Sequence, residues 1–350
     1  MFRFRNIEDR TLANMKIIID AMGGDNAPGE IVRGAVEAAK NTEAEIFLVG
    51  NKAKIEQCMK NCDAPAKIVN IVHTDSVITM EDEPMSILRA KKDCSMAVGL
   101  RMLKEDGDAF ISAGNTGALH AGSSLIIRPV KGVMRSGIAT ILPFYRPVLL
   151  MDCGANVTVT ADYLEQWAIM GTLYMKNVMG ISEPEVGLLN NGTEECKGTE
   201  IQREAYALLK SCPDINFIGN VESKDIPRGV CDVLVTDGFT GNIALKLTEG
   251  MAKFLFGMLK DVFGSKLRGM FCYLLMKKDL KALKNRFDAS AYGGAPILGI
   301  SRPVIKAHGS SDARAIKNAI AQAEKFVCSG AAEQIADAVV AMRETVDSVK

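Results

Sequence analysis

The sequence offers little to a metalloenzyme. It holds three histidines, at 73, 120 and 308, in 350 residues, and none stands at zinc-finger spacing from Cys58 and Cys62. No metal site and no cofactor are therefore expected. Charge of either sign is not in excess: 42 Lys+Arg face 42 Asp+Glu. That removes the global basic field of a nucleic-acid binder, so any anion binding must be local. Long apolar runs are missing too. The longest uncharged stretch, Ala109 to Ile127, carries Ser112, Asn115, Thr116, His120 and glycines, which excludes a hydrocarbon-facing helix. The first residues, MFRFRNIEDRTLAN, lack the apolar core of a signal peptide. Nine scattered cysteines, an odd number, argue against a secreted disulfide framework and for a reducing cytosol.

Named catalytic signatures are equally scarce. Met22-Gly23-Gly24-Asp25-Asn26-Ala27 is not G-x-G-x-x-G, which weakens a dinucleotide reading. The run from Gly192 to Thr199 ends Lys-Gly-Thr rather than Gly-Lys-Thr, so it is no P-loop. Ser310 lacks the final glycine of a nucleophile elbow, and no cysteine has an obvious nearby base.

What is present is an alternation of β-branched runs and amphipathic segments. Lys16–Asp20, Glu45–Val49, 67–73, 108–112, 148–152, 185–190 and 232–236 read as strands. Gly29–Lys40, 95–103, 161–178 and 199–209 read as helices, and 216–218 and 306–308 as extended. This pattern predicts an α/β fold with a parallel sheet covered on both faces. Periodicity begins only at Met15. The expectation is a 1–14 extension and one large α/β domain over 15–350, with no repeat or low-complexity linker.

Most Gly/Asn/Asp/Thr clusters follow strands, where α/β sheets bind ligands. Ser112-Ala113-Gly114-Asn115-Thr116-Gly117 and Asp237-Gly238-Phe239-Thr240-Gly241-Asn242 each stand between a strand and a helix. Backbone N–H groups at such helix starts surround phosphates and oxyanions. Plain helix capping by Asn115 explains the first loop equally well. His308-Gly309-Ser310-Ser311-Asp312 is a third loop of this kind, and Lys197 sits on a Gly-bounded loop of its own.

The segment 243–286 carries Phe254, Met258, Leu267, Met270, Phe271 and Leu274 at helical spacing, broken at Gly264-Ser265 and followed by Lys277, Lys278, Lys281 and Lys284. It predicts a projecting helical hairpin. A dimer interface is the plainer use, and a tip dipping into a membrane surface the sharper one.

Read together, IIIDAMGGDNAP, SAGNTGAL, DCGAN, GLLNNGTEECKG, FIGNVESKDI, DGFTGN, YGGAP and IKAHGSSD resemble, in order, the signature blocks of the PlsX family of acyl-ACP:phosphate acyltransferases. The resemblance runs from Met15 to about residue 314, and the arm before Met15 has no counterpart in the family pattern. It implies a Rossmann-like α/β/α sandwich akin to isocitrate and isopropylmalate dehydrogenases. It implies a cytoplasmic homodimer held peripherally at the inner, anionic face of the membrane. The implied reaction joins acyl-ACP and inorganic phosphate to give acyl phosphate and free acyl carrier protein. The product would pass to an integral-membrane glycerol-3-phosphate acyltransferase in phospholipid synthesis.

In that chemistry phosphate is already an anionic nucleophile and a thiol leaves well, so placement and oxyanion stabilisation suffice. Lys197 is assigned to the phosphate or the developing charge, and Asn242 to the thioester oxygen. Substrate contacts are expected from Gly23, Gly24, Ser112, Gly114, Asn115, Thr116, Gly117, Asn156, Gly238, Thr240, Gly241, His308 and Ser310. Asp20, Asp25, Asp152 and Asp237 would orient Lys197 or the loop amides, since carboxylates repel phosphate. The basic residues of 268–286 are candidates for receiving the acidic carrier. Two rivals are a short-chain phosphotransacylase using acyl-CoA and a non-catalytic carrier- or lipid-binding regulator. A dehydrogenase is more distant.

Overall fold

The computed structural model describes residues 14–62, 69–264, 267–287 and 289–349. All but Asn14 of the expected extension lies outside these residues. So do Lys67, Ser265 and the side chains of Leu267, Lys284 and Arg286.

Among the described residues eleven strands form one sheet: β1 (Lys16–Asp20), β2 (Glu45–Gly50), β3 (Val69–His73), β4 (Ala109–Ser112), β5 (Gly137–Pro143), β6 (Pro147–Met151), β7 (Glu185–Asn190), β8 (Asn216–Glu222), β9 (Val233–Val235), β10 (Ala295–Leu298) and β11 (Val304–Lys306). Their order is β3-β2-β1-β4-β11-β10-β5-β6-β9-β7-β8. The helices are α1 (Gly29–Ala39), α2 (Lys52–Lys60), α3 (Ser95–Glu105), α4 (Thr116–Gly122), α5 (Ala161–Asn177), α6 (Glu200–Ser211), α7 (Gly238–Gly264), α8 (Leu267–Arg286), α9 (Ala313–Cys328) and α10 (Ala331–Val349).

The sheet is mixed, which corrects the expectation of a parallel one. Strands β3, β2, β1, β4 and β11 are mutually parallel, and so are β6, β9, β7 and β8. Between these blocks β10 pairs antiparallel with both β11 and β5, and β5 antiparallel with β6. Three reversals make the two blocks run in opposite directions. Their carboxyl ends therefore point opposite ways along the sheet.

Alternation along each strand feeds two faces. Ile17 and Ile19 pack with Ile31, Val32, Ala35 and Val36 of α1 and with Ile316 and Ile320 of α9. Ile18 joins Met96, Leu100 and Leu103 of α3 on the opposite face. In the second block Leu149 and Met151 pack on Trp167, Met170 and Tyr174 of α5, and Leu150 faces the other way. Each fully buried side chain of this kind contributes about 1.5–3 kcal/mol of transfer free energy. Trp167 is pinned by an Nε1–H bond to the Arg135 carbonyl, 2.9 Å.

Helices α7 and α8 pack on each other through Phe256 against Phe287 and Phe263 against Tyr273, with ring centroids 6.1 and 6.2 Å apart. Most of their other apolar side chains are exposed. Among the described residues no helix is long and apolar enough to cross a membrane.

Candidate active site

Three loops of the first block close on one another at the carboxyl ends of β1, β4 and β11. Gly23 abuts the Gly114 backbone: a Cβ on it would lie 2.8 Å from the Gly114 nitrogen. Gly24, at φ +109°, sits between Ala113 and the Gly309 carbonyl, which also accepts the Asp25 N–H at 2.8 Å. A Cβ at either position would force the loops apart, so glycine here serves close approach.

Asp20 organises this cluster. It is buried, and burial pushes its carboxyl above the ordinary carboxylate range. It accepts the Met22 N–H and the Ser112 hydroxyl (2.8 Å), and Ser112 Oγ in turn accepts the Gly114 N–H. Asn115 caps α4 through Ala118 N–H, while its amide donates to the carbonyls of Thr79, Met80 and Asp82. Ser112, Gly114 and Asn115, expected among the phosphate or substrate contacts, thus hold the loop through these bonds. The N–H groups of Thr116 and Gly117 lie exposed and make no hydrogen bond among the described residues. His308 Nδ1 lies 2.9 Å from Ser310 Oγ and accepts the Ser310 N–H, so this third loop folds onto itself.

The second cluster lies at the carboxyl ends of β6, β9 and β7. Asp152, with no exposed surface, gathers the N–H groups of Ile138, Gly154, Ala155 and Asn156 and the Asn156 amide. Residues 238–242, expected as a loop, form the first turns of α7. Their N–H groups are already occupied. Gly238 donates to the Asn156 carbonyl, Phe239 and Thr240 to Asp237 Oδ1, and Gly241 to the Asp237 carbonyl. This corrects the expectation that 238–241 present free backbone donors. The capping carboxylate has taken them.

Two polar side chains of this cluster remain uncommitted among the described residues. The Asn242 amide lies beside Gly154, where a Cβ would come 3.8 Å from Nδ2, and has no hydrogen-bond partner. The Lys197 ammonium, exposed on the loop after β7, makes neither ion pair nor hydrogen bond. Its stem crosses Gly192, and its loop is held by Asn190 on the Lys197 carbonyl and Asn220 on the Glu194 carbonyl. Register aligns Met151, Val235 and Leu188 across β6, β9 and β7. The Lys197 loop therefore leaves the sheet about two strand spacings, roughly 10 Å, from Asp152. Neither Asp20 nor Asp152 contacts Lys197; both bind loop amides instead.

Helix α4 joins the clusters. It starts at Asn115 and, about 7 Å further along its axis, presents His120. The His120 Nε2 lies 3.1 Å from Ser136 Oγ, and the Ser136 carbonyl accepts the Asn156 amide at 2.8 Å. Burial pulls the His120 pKa below the ordinary imidazole value, so the ring is neutral at pH 7. Sequence reasoning missed His120 and Ser136, because neither belongs to a glycine block. It also missed Lys306, whose buried ammonium donates to the carbonyls of Ala113 and Ala307 beneath the first cluster.

Comparison with known proteins bears on this geometry. Residues 15–334 match the family described as fatty acid synthesis protein. The phosphate acyltransferase of Alkaliphilus oremlandii is 47% identical over 327 residues, covering 93% of this chain and 97% of that protein. The protein of the same name from Oceanobacillus iheyensis is 47% identical over 316 residues, covering 89% and 94%. A phosphotransacetylase from Streptococcus pyogenes shares the fold, with a TM-score of 0.62 at 18% identity over 89% of this chain and 93% of its own. The EutD phosphotransacetylase from Staphylococcus aureus aligns with a TM-score of 0.58 at 15% identity, over 93% and 97%.

Proposed function

The chain belongs to the fatty acid synthesis protein family, and from that premise we propose that it is a phosphate acyltransferase converting acyl-ACP and inorganic phosphate to acyl phosphate and free carrier. The observation that carries the site assignment is the state of its polar groups. Around Asp152 and Asp237 the amides are internally bonded, while Lys197 and Asn242 keep their polar ends open. An ammonium and a carboxamide suit a phosphate dianion and a thioester oxygen.

The step is direct. An oxygen of hydrogen phosphate attacks the thioester carbon, the C–O bond forms and the C–S bond breaks. The phosphate proton passes to the departing thiolate, leaving acyl phosphate and a thiol. A thiol pKa near 8.5 makes the sulfur a competent leaving group. Lys197 holds the phosphate and offsets charge repulsion. Asn242 donates to the carbonyl oxygen as it becomes an oxyanion, a contact typically worth about 3–4 kcal/mol in the transition state. Asp20, Asp152 and Asp237 act upstream, by fixing the loops.

The apolar α7–α8 pair supports a homodimer at its base and a peripheral seat on the anionic inner face of the membrane. There the acyl phosphate is handed to the integral-membrane glycerol-3-phosphate acyltransferase. The reading is tested by incubating the protein with long-chain acyl-ACP and phosphate and trapping the product with hydroxylamine. Phosphate-dependent hydroxamate with release of free thiol is expected. Thiol release without phosphate, or an acylated side chain trapped during turnover, overturns it. Acetyl-CoA in place of acyl-ACP separates the short-chain rival.

A further inference from the structure

A second feature of the first block has no part in the chemistry above. A cavity of about 590 Å³ opens between the Pro84–Leu88 turn, α3 and the π-helical turn Ser123–Ile127. Ile87, Leu88 and Ile126 form its floor, and Lys92, Arg101 and Lys104 stand around it with one carboxylate, Glu105. Over residues 89–106 the cations Arg89, Lys91, Lys92, Arg101 and Lys104 outnumber the carboxylates Asp93, Glu105 and Asp106, in a chain of zero net charge. Arg101 is shared with Asp93 and Lys91 with Asp82. The charged ends of Arg89, Lys92 and Lys104 make no ion pair or hydrogen bond among the described residues.

The cavity borders helix α4, whose first turn follows the Gly114 loop of the first cluster. A Cβ on Gly122 of α4 would lie 2.8 Å from Ile87 Cδ1 and 3.9 Å from Ile126 Cδ1. The open N–H groups of Thr116 and Gly117 start the same helix, six and five residues and about 8–9 Å from Gly122.

We propose that the cationic rim of Lys92, Arg101 and Lys104 around the Ile87–Leu88–Ile126 floor is the docking surface for the acidic carrier protein that brings the acyl thioester. The proposal rests on the acyltransferase reading, and it names the surface that reading leaves open. Charge complementarity chooses the occupant. A recessed apolar floor beside the unpaired Lys92 and Lys104 and the Asp93-shared Arg101 accepts apolar side chains flanked by carboxylates, as an acidic protein helix presents them. A bilayer is flat and does not reach a recessed floor. A nucleic-acid backbone finds no use for that floor. The α8 lysines Lys277, Lys278 and Lys281 follow a segment whose Met270, Phe271 and Leu274 are exposed, a surface of different character.

The experiment compares the wild type, a Lys92→Glu/Lys104→Glu variant and a Lys277→Glu/Lys278→Glu variant. Each is assayed with a long-chain acyl carrier and with the same acyl group on pantetheine alone. For Lys92→Glu/Lys104→Glu the KM for the acyl carrier rises at least about tenfold at low salt, with kcat held, as expected for rim charges. Its kcat/KM for acyl-pantetheine stays within about twofold of wild type, and high salt shrinks the wild-type advantage. Equal loss on both donors, no loss on either, or a carrier-selective loss in the α8 variant instead overturns the proposal. Titration of the unacylated carrier reads the surface without turnover: affinity weakened about tenfold supports docking here, and unchanged affinity overturns it. A wild type that binds the carrier but forms no acyl phosphate from either donor overturns the reaction reading alone.

Discussion

The carbonyl oxygen of Asp152 occupies the space that a Cβ on Gly241 would need. The gap is well inside van der Waals contact, and the opposing atom is backbone rather than a movable side-chain end. This contact seats the first turns of α7 on the 152–156 loop, at the residue between Thr240 and Asn242. Gly241→Ala therefore pushes helix and loop apart. Overpacking of this kind costs about 1–3 kcal/mol, so denaturant unfolding should show a loss in that range. The kcat should fall more steeply than at Gly250→Ala, where a Cβ meets nothing within 4 Å. Equal behaviour of the two variants would sink the idea that this contact sets the geometry of Asn242.

The roles proposed for Lys197 and Asn242 differ, so their variants should separate. Asn242→Ala removes a transition-state donor, so kcat should drop roughly 10²–10³-fold with little change in the phosphate KM. Lys197→Ala removes a ground-state contact as well, so the phosphate KM should rise alongside a fall in kcat. Both side chains are partly or wholly exposed and bear no structural bonds. Thermal midpoints should therefore remain near the wild-type value. Near-normal turnover by both variants would remove the assignment.

Much of the fold was readable because strands such as Ile17–Ile18–Ile19 and Glu185–Asn190 announce themselves as apolar runs ended by turn residues. Direction was not readable. An apolar run looks the same in either sense, so β5 and β10, the strands that reverse the sheet, left no mark beyond IATILP and APIL. The site was legible as blocks but not as roles. Asn115 and Asn242 are the same residue type after similar glycine loops. Only the fold reveals that Asn115 is used up on Ala118, Thr79, Met80 and Asp82 while Asn242 is open among the described residues. Backbone donors at 238–241 failed as an expectation for a related reason: Asp237, itself part of the block, caps them. Lys306 was invisible because a lone lysine reads as a surface residue until its neighbours bury it.

Lys306 yields a pH prediction. Burial pulls its ammonium down to about 8, against the upward pull of the Asp20 and Asp25 carboxylates. The unfolded lysine titrates near 10.4. Between those values the unfolded chain holds the extra proton, so the contribution of this group to stability rises with pH across the window. Below pH 8 the destabilisation from its buried charge is present in full. The span is of the order of 3 kcal/mol. Lys306→Met removes the charge. The stability of wild type relative to this variant, from urea melts, should increase between pH 7.5 and 10. A difference independent of pH would show that burial does not perturb this ammonium.

The exposed side chains of α8 separate membrane seating from catalysis. Met270 is 54% and Phe271 64% exposed, and Leu274 and Leu275 extend the apolar surface. Burying such residues at the headgroup boundary contributes by the same area term as core burial, and neighbouring lysines add about 1 kcal/mol each on an anionic surface. Met270→Asp with Phe271→Asp reverses both contributions at one end of the pair. Sedimentation with vesicles containing anionic lipid should recover the wild type in the pellet and leave the variant in the supernatant. Neither residue lies near Asn242 or Lys197 in the sequence, and neither packs in the core. Acyl phosphate formation from soluble acyl carrier should therefore proceed at the wild-type rate in detergent-free solution. Pelleting of both proteins alike would remove the membrane role from this surface, leaving the helices to a dimer contact. Loss of turnover in solution would instead place these residues in the structure that supports the site.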